Sequence, residues 1–437
     1  MLDEEIKADL EEFNVPGASW AVIEDGEVHQ TGAAGLVEAG GTQAVTPDTL
    51  FQAASISKPI AVLAMLRLVD RGVLDLDEDV NEKLTSWQVP PTGSWQPVVT
   101  LRQLASHSAG LTVHGFPGYA YGDPQPTTLQ ILDGVRPTNT FGVRVDLVPG
   151  TQFRYAGGGT IVMQQLLEDV TGTPFRELIR ELVLEPLGMS NSDYVQPLPP
   201  ELQGRAAVAH DERGRPLEGR WHAYPELAAA GLWTTPTDLA KVAIGVQQMC
   251  AGVAGALLSP ELAHEMLTHQ IAASQRIGGL SHLGLGFFLD EDGRRFGHSG
   301  GNAGFRCHLL ADRDTGQGAV VMTNGDGGGW VVPRAFAAVA SAYGWERYPD
   351  EVERADLPTG EVLAELAGTY RLDGRMTFTV EQSGGGLEVT FDGQPPQLFM
   401  ARSATGFTAM NTETGFEVRD GGLVFHQEDV ALDCVRE

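Results

Sequence analysis

The spacing of apolar and polar residues divides the chain into strand-like and helix-like parts. From Ser19, SWAVIEDGEVHQTGAAGL alternates on both sides of Asp25-Gly26, a pair typical of hairpin turns, and predicts two strands. After ISKP, the apolar residues of IAVLAMLRLVDRGVLDL recur at helical spacing and stop at Gly72. From Leu283, the runs LGLGFFL, RRFGHSG, FRCHLLAD and GAVVMTNG are again typical of strands, and WVVPRAFAAVASAYGW returns to a helix. This order predicts an α/β domain whose sheet is built from both ends of the segment, with a helical insertion between them.

The middle of the chain supplies the helical insertion. TIVMQQLLEDVTG and TPFRELIRELVLEPLGM are amphipathic, and each is closed by Gly or Pro. TTPTDLAKVAIGVQQMC predicts another helix, with Thr237 or Asp238 near its start. Residues 85–150 are rich in Pro, Gly and Thr and are typical of long loops over a scaffold, where functional sites often lie.

The composition changes abruptly near residue 347. RYPDEVERADLPTGE is charged, carries two prolines and is typical of a linker. Beyond it, alternating runs with Gly-rich turns predict a small all-β domain, a barrel. The sequence therefore predicts a first domain over 1–346, a linker over 347–360 and a β-barrel over 361–437.

Charge and cysteine content exclude several classes of function. The chain has 29 basic and 58 acidic residues, a net charge of −29, so its surface repels nucleic acid and anionic lipid. No apolar run approaches the length of a transmembrane helix. Cys250, Cys307 and Cys434 lie far apart and form no C-x-x-C or Cys/His cluster, so we expect neither a disulfide framework nor a metal site.

The first residues, MLDEEIKADLEEF, are acidic and amphipathic. They lack the basic and apolar regions of a signal peptide. We therefore expect a cytoplasmic location for the chain as given, and an extracytoplasmic one if a leader was removed.

Two serines compete as nucleophile, and the first lies in GHSGG, residues 297–301. This stretch fits G-x-S-x-G, a nucleophile elbow that would make Ser299 reactive. An elbow needs a helix directly after the serine, but the glycines that follow Ser299 oppose a helix, and FRCHLLAD with GAVVMTN predicts a hairpin. The histidines that follow it, His308 in a predicted strand and His426 in the C-terminal domain, are poor triad partners. The sequence therefore disfavours Ser299.

The second serine lies in SISK, which fits S-x-x-K. Lys58, three residues after Ser55 at the start of a helix, lies on the same face and can reach its hydroxyl. A serine needs an adjacent base, and lysine serves when desolvation lowers its pKa. Pro59 falls in the first turn, where it is tolerated. S-x-x-K alone is also compatible with a capping serine and a solvated lysine.

Further segments follow in a fixed order. FRYAGGGT places Tyr155 before a Gly-rich turn and a helix, and GHSG begins a predicted strand. LRQLASHSAGL, PGTQFRYAGGG, LEPLGM and AAGLWTTPTDLAKV complete the set. Over residues 10–345 the chain resembles the β-lactamase-like serine hydrolases, which include penicillin-binding carboxypeptidases, class C β-lactamases, D-aminopeptidases and related esterases. The C-terminal segment resembles the lipocalin-like barrel of some family peptidases.

The resemblance implies an antiparallel sheet with helices on both faces, plus an all-helical subdomain. It implies that Ser55 is acylated, that Lys58 exchanges its proton and that Tyr155 passes protons to the leaving group. His298-Ser299-Gly300 takes the place of a Lys-Thr-Gly strand. The backbone N–H groups of Ser55 and Gly301 would form the oxyanion hole. No metal and no organic cofactor is implied.

Two departures from the family bear on the substrate. Gly157 stands where β-lactamases have the Asn of Tyr-x-Asn, and His298 replaces a lysine, so that a fixed cation becomes a titratable group. We therefore expect a serine hydrolase for small peptides or amides, including D-amino acid ones, or for short esters. A β-lactamase or D-Ala-D-Ala carboxypeptidase is one alternative. A catalytically idle ligand sensor of the same fold is the other. For either function, the expected partners are a small-molecule or short-peptide substrate and other copies of this chain in a homo-oligomer.

The remaining polar candidates lie in loops. We favour a structural role for His107 and His114, which flank a predicted loop. His222 and Tyr224, in RWHAYPE, could line the substrate pocket or simply pack within the loop. These two residues and Gly157 complete the predicted pocket.

Overall fold

The computed structural model describes residues 2–277, 279–345, 358–372, 376–383, 386–392, 396–401, 403–409, 414–419, 422–427 and 430–437. The chain forms two compact units: Met1–Leu10 with Val15–Glu346, and Glu11–Asn14 with Arg347–Glu437. The predicted linker lies outside the described residues as far as 357, and a helix begins at Gly360. Within the described ranges, no helix is long and apolar enough to cross a membrane.

An antiparallel sheet forms the frame of the first unit. Its strands, in the described part of the chain, are β1 (Gly17–Glu24), β2 (Glu27–Gly35), β5 (Ile271–Ile277), β6 (Leu280–Leu283), β7 (Phe288–Leu289), β8 (Arg295–Asn302), β9 (Phe305–Asp312) and β10 (Gly318–Thr323). Their order in space is β2-β1-β10-β9-β8-β7-β6-β5, while β3 (Phe51–Gln52) and β4 (Trp233–Thr234) pair separately. The pairing of β1 with β10 confirms that the two ends of the segment build one sheet.

Local sequence explains the first hairpin. Asp25 and Gly26 both have positive φ, 51° and 71°, as the tight turn between two twisted strands requires. Apolar side chains fill β1 on both faces, because it is a central strand covered on each side.

Most of the described helices lie between β2 and β5, connected by long loops. The helices are α1 (Leu2–Glu12), α2 (Ser57–Asp70), α3 (Leu101–Ala105), α4 (Thr128–Asp133), α5 (Gly157–Thr171), α6 (Phe175–Ile179), α7 (Pro200–Gln203), α8 (Leu227–Ala230), α9 (Pro236–Cys250), α10 (Pro260–Met266), α11 (Gly328–Tyr343) and α12 (Gly360–Glu365). The cap of α9 is Thr235, which accepts a hydrogen bond from the Asp238 N–H, and Pro236 takes the first helical position. Thr237 and Asp238 are the second and third residues of α9, near its start as the sequence predicts.

Helices cover both faces of the sheet. Val320 and Met322 of β10 belong to a core cluster that also contains buried residues of α2, α5 and α9. On the other face, Phe336 of α11 packs its ring edge-on against His308 of β9. The predicted fold class, an antiparallel sheet between helical layers with a helical subdomain, is confirmed.

The second unit is the predicted barrel. Its described strands are β11 (Gly368–Leu372), β12 (Met376–Ser383), β13 (Gly386–Phe391), β14 (Gln397–Ala401), β15 (Gly406–Ala409), β16 (Thr414–Arg419), β17 (Gly422–Gln427) and β18 (Val430–Arg436). The sheet closes because β11 pairs with both β12 and β18. Aromatic side chains fill its interior, among them Tyr370, Phe378 and Phe416. They are the core of this unit, as alternating strands predict.

Candidate active site

Ser55 lies in a tight turn directly before α2. Residues Ala54–Ile56 form one 3₁₀ turn, and Ala54 has a φ of +48°, a conformation that costs energy for a residue with a side chain. The Ala53 N–H donates to the Leu232 carbonyl at 2.9 Å and holds the turn against the strand at Trp233. Ser55 stays partly exposed while its neighbours are buried. The turn therefore presents one hydroxyl from a fixed backbone.

Lys58 is in the first turn of α2, with its ammonium group beside that hydroxyl. Its Nζ lies 2.9 Å from Ser55 Oγ and donates at 2.9 Å to the carbonyl oxygen of Ala229, in α8. The side chain is 4% exposed, and burial lowers its pKa to about 7. A large fraction of Lys58 is therefore uncharged at neutral pH, as a base for Ser55 must be.

Tyr155 lies next to this pair, two residues before the start of α5. Its ring centroid is 5.1 Å from Lys58 Nζ. Burial raises the pKa of Tyr155, and a hydrogen bond with Ser55 opposes that shift. The phenol thus keeps its proton over the physiological range and is in contact with the nucleophile.

Two histidines that the sequence assigned to the framework pack against Tyr155. The His107 ring lies 4.3 Å from the Tyr155 ring, centroid to centroid, and the His114 ring lies 5.0 Å away. His107 Nδ1 accepts a hydrogen bond from the Ala156 N–H at 3.2 Å, and burial holds its pKa well below the usual value. Sequence reasoning missed this packing because loop residues carry no periodicity that would show which side chain they touch.

The edge of β8 closes the other side of the site. Among the described residues, β7 pairs only with Phe296 and Gly297 of β8, so the edge of β8 beyond them is free and faces the Ser55 turn. A Cβ at Gly300 would lie 2.2 Å from the Ala53 carbonyl oxygen, so only glycine allows this close approach. Asn302 and Phe305 form the closing pair of the β8–β9 hairpin. Because hydrogen-bonded and non-hydrogen-bonded pairs alternate along an antiparallel ladder, the N–H of the next residue, Gly301, points away from β9 toward the free edge.

His298 and Ser299 point to opposite faces of β8, as successive strand residues do. The His298 ring lies 6.2 Å from the Tyr155 ring on the site's face, and its Nδ1 is 2.6 Å from the Ser299 carbonyl oxygen. Its Nε2 is buried without a hydrogen-bond partner among the described residues. Burial, reinforced by Lys58, lowers the His298 pKa to about 3, so the ring is neutral.

Ser299 is directed to the face covered by α11. Its hydroxyl lies 2.8 Å from Nδ1 of His308, whose pKa burial lowers to about 4. The strand continues through Ser299 to Asn302, without the strand-to-helix turn of a nucleophile elbow. The structure therefore brings Ser55, Lys58, Tyr155, His298, Gly300 and Gly301 together and turns the Ser299 hydroxyl away from them.

The three predicted pocket residues contact one loop segment. A Cβ at Gly157 would lie 3.0 Å from Cε2 of Phe116. His222 Nδ1 is 3.2 Å from the Pro117 carbonyl oxygen. The Tyr224 hydroxyl donates to the same carbonyl oxygen at 3.4 Å and accepts from the Ala303 N–H at 2.9 Å. Tyr224 thus joins the loop to the tip of the β8–β9 hairpin. Within the described ranges, no cluster of His, Cys, Asp or Glu has the geometry of a metal site.

Comparison with known proteins shows the family of the first unit. A model of the beta-lactamase family matches residues 2–344. Penicillin-binding protein 4 of Amycolatopsis lactamdurans is 27% identical over 375 residues, 83% of this chain and 95% of that protein. D-aminopeptidase of Gluconobacter oxydans is 26% identical over 420 residues, 92% of this chain and 71% of the other.

The chain is also similar in sequence to an esterase and in fold to a solved penicillin-binding protein homologue. Esterase EstB of Burkholderia gladioli is 30% identical over 223 residues, 48% of this chain and 54% of the esterase, so the chain spans about half of that relative. An octameric penicillin-binding protein homologue of Pyrococcus abyssi covers 99% of both chains at 24% identity with a TM-score of 0.69. With a family model over most of its length, the chain belongs to the beta-lactamase family of serine hydrolases.

Proposed function

We propose that this chain hydrolyses short esters and amides whose leaving group carries no carboxylate, through an acyl-enzyme on Ser55. The observation that carries the proposal is the neutral, buried His298 beside the Ser55–Lys58 pair. Amino acid amides, including D-amino acid ones, belong to this class. The esterase and D-aminopeptidase relatives support the same choice.

Acylation begins with the uncharged Lys58. Its Nζ takes the hydroxyl proton from Ser55, 2.9 Å away, while Oγ attacks the substrate carbonyl carbon. The oxyanion that forms accepts hydrogen bonds from the N–H groups of Ser55 and Gly301. Since the Ala229 carbonyl fixes Nζ, the base is in place before the substrate binds.

Tyr155 completes the proton transfer. Its protonated phenol donates to the departing oxygen or nitrogen and then takes a proton from the Lys58 ammonium, whose Nζ lies 5.1 Å from the centre of the Tyr155 ring. The bond between the carbonyl carbon and the leaving group breaks, and the acyl group remains on Ser55. Water then attacks the ester and gives its proton to the uncharged Lys58, which returns a proton to Ser55 Oγ as the acid product leaves.

The state of His298 selects the leaving group. A lysine at this position would offer a charge-assisted hydrogen bond to a substrate carboxylate. The neutral imidazole uses Nδ1–H on the Ser299 carbonyl, so the buried Nε2 carries a lone pair and no proton. A substrate carboxylate beside His298 would therefore meet a neutral ring in place of a cation. This disfavours D-Ala-D-Ala carboxypeptidase and β-lactamase activity.

A matched pair of esters tests the proposal. Phenyl acetate and 3-carboxyphenyl acetate form the same acyl-enzyme and differ only in the charge on the leaving group. We expect kcat/KM, normalised to hydroxide hydrolysis, to be about tenfold or more higher for phenyl acetate, since one lost polar contact is worth roughly that factor. Hydrolysis of D-alanine p-nitroanilide, measured in the same assay, tests whether the protein also acts on amides.

The variant His298→Lys is the matched control, because it restores a cation at one position. It should lower the preference for phenyl acetate. Preference of the parent for the carboxylate ester would contradict the proposal. Covalent labelling of Ser55 without turnover of any ester or anilide would favour the sensor alternative.

A further inference from the structure

The start of α5 consists of three consecutive glycines. Gly157, Gly158 and Gly159 form its first turn, although glycine disfavours helices. A Cβ at Gly158 would lie 2.9 Å from the Thr112 carbonyl oxygen, and one at Gly159 would lie 3.2 Å from Leu111. The glycines therefore make room for a second piece of chain, residues 111–119, which we name the strap.

The strap is fixed at both ends and along its length. The Thr112 N–H donates to the Arg144 carbonyl at 2.8 Å, and Tyr119 exchanges two 2.9 Å hydrogen bonds with Ala223. The Gly157 and Gly158 N–H groups donate to the strap carbonyls at 2.9 and 3.0 Å. Val113 is held at a φ of +65°, a strained conformation for a β-branched residue.

This fixed strap places two rings beside the reacting groups. His114 lies against the Tyr155 ring, and Phe116 covers Gly157, two residues beyond Tyr155. Phe116 is only partly buried, so part of its ring stays accessible beside Gly157. Any side chain at position 157 would have to displace this ring or the His114 carbonyl oxygen, which would lie 3.1 Å from its Cβ.

We infer that Phe116, seated on Gly157, limits the length of the acyl group that the site accepts. The inference rests on the proposed function and narrows it to substrates with small acyl groups. The aromatic ring takes the space that a longer chain would need, and the hydrogen-bonded strap prevents the ring from moving aside with the backbone.

The test measures the chain-length profile of the full-length protein. With p-nitrophenyl acetate, butyrate and octanoate, kcat/KM of the parent should fall toward octanoate. Phe116→Ala should raise the octanoate-to-acetate ratio about tenfold or more, mainly through KM, since a few methylenes in an apolar pocket are worth at least this much. Phe141→Ala is the matched control, because Phe141 lies in the same loop region and is 91% exposed.

Each outcome decides one point. A ratio within twofold of the parent for Phe116→Ala, or an equal rise for Phe141→Ala, would overturn the inference and leave the proposed function standing. If no ester or anilide is turned over by the parent, the proposed function fails and the inference falls with it. If Phe116→Ala does not fold, Phe116→Leu and Phe116→Trp decide by moving the ratio up and down, and an unmoved ratio in both refutes the role of Phe116.

Discussion

The hydroxyl of Ser299 lies 2.8 Å from Nδ1 of His308, on the face of the sheet that α11 covers. This pair has the atoms of a serine–histidine dyad but faces away from Lys58 and Tyr155. We therefore expect a fluorophosphonate to label Ser55 and not Ser299, because Ser299, although beside the neutral His308, points to the face of the sheet away from the oxyanion donors. Ser55→Ala should abolish labelling and turnover, and Ser299→Ala should retain labelling. An adduct that peptide mass spectrometry finds on Ser299 would refute this assignment.

The rate of acylation should follow the protonation of Lys58. Burial lowers its pKa to about 7, and the uncharged form is the active one, so log kcat/KM should rise with pH and level off above about 7. His298, with a pKa near 3, should not titrate in this range. Lys58→Ala should lower the rate about 10²–10⁴-fold and remove the inflection near 7. An inflection that survives in this variant would assign it to another group.

Lys58 should also destabilise the fold in a pH-dependent way. Its folded pKa is lowered below the unfolded value of 10.5, so the unfolded chain binds more protons between these two values, and stability rises with pH across them. The cost is greatest below about 7. Lys58→Met, which removes the buried amine, should therefore raise the melting temperature more at pH 6 than at pH 9. A gain that is equal at both pH values would show that the amine is not desolvated in the folded protein.

Gly300 should tolerate no side chain. A Cβ there would lie 2.2 Å from the Ala53 carbonyl oxygen and 2.5 Å from Cys307 Sγ, so Gly300→Ala must push β8 away from the Ser55 turn. We expect a loss of about 1–3 kcal/mol in the free energy of unfolding, as for other overpacked sites, together with slower acylation. Gly301→Ala is the steric control, since its nearest contact would be 3.6 Å from Arg306. Equal stability of the two variants in denaturant unfolding would contradict the close approach.

The sequence predicts the barrel, and it predicts a sheet that is built from both ends of the first segment. Both predictions are possible because alternation and helical spacing are local signals. The spacing in SISK likewise suffices to place Lys58 beside Ser55, since three residues span one helical turn. The glycines after Tyr155 were expected to form a turn before a helix. They form the helix itself, because the strap packs on them and its contacts outweigh their poor intrinsic preference.

The surroundings of Tyr155 and Ser299 could not be predicted in the same way. His107 and His114 reach Tyr155 from a loop, and loop paths follow from contacts distant in sequence. Alternation along β8 predicts that His298 and Ser299 face opposite sides, but the partner of each depends on which strand and helix lie there. The register that sets Ser299 opposite His308 is visible only in the folded sheet.

The pairing of β1 with β10 has a consequence for synthesis of the protein. Ser55 and Lys58 leave the ribosome early, whereas β8, with Gly300 and Gly301, follows long after them, and β10 closes the sheet last. A nascent chain therefore carries Ser55 and Lys58 but lacks the Gly301 N–H and a complete central sheet. Such non-local pairing also makes folding slow. Reactivity at Ser55 should consequently appear only after translation of the whole first unit.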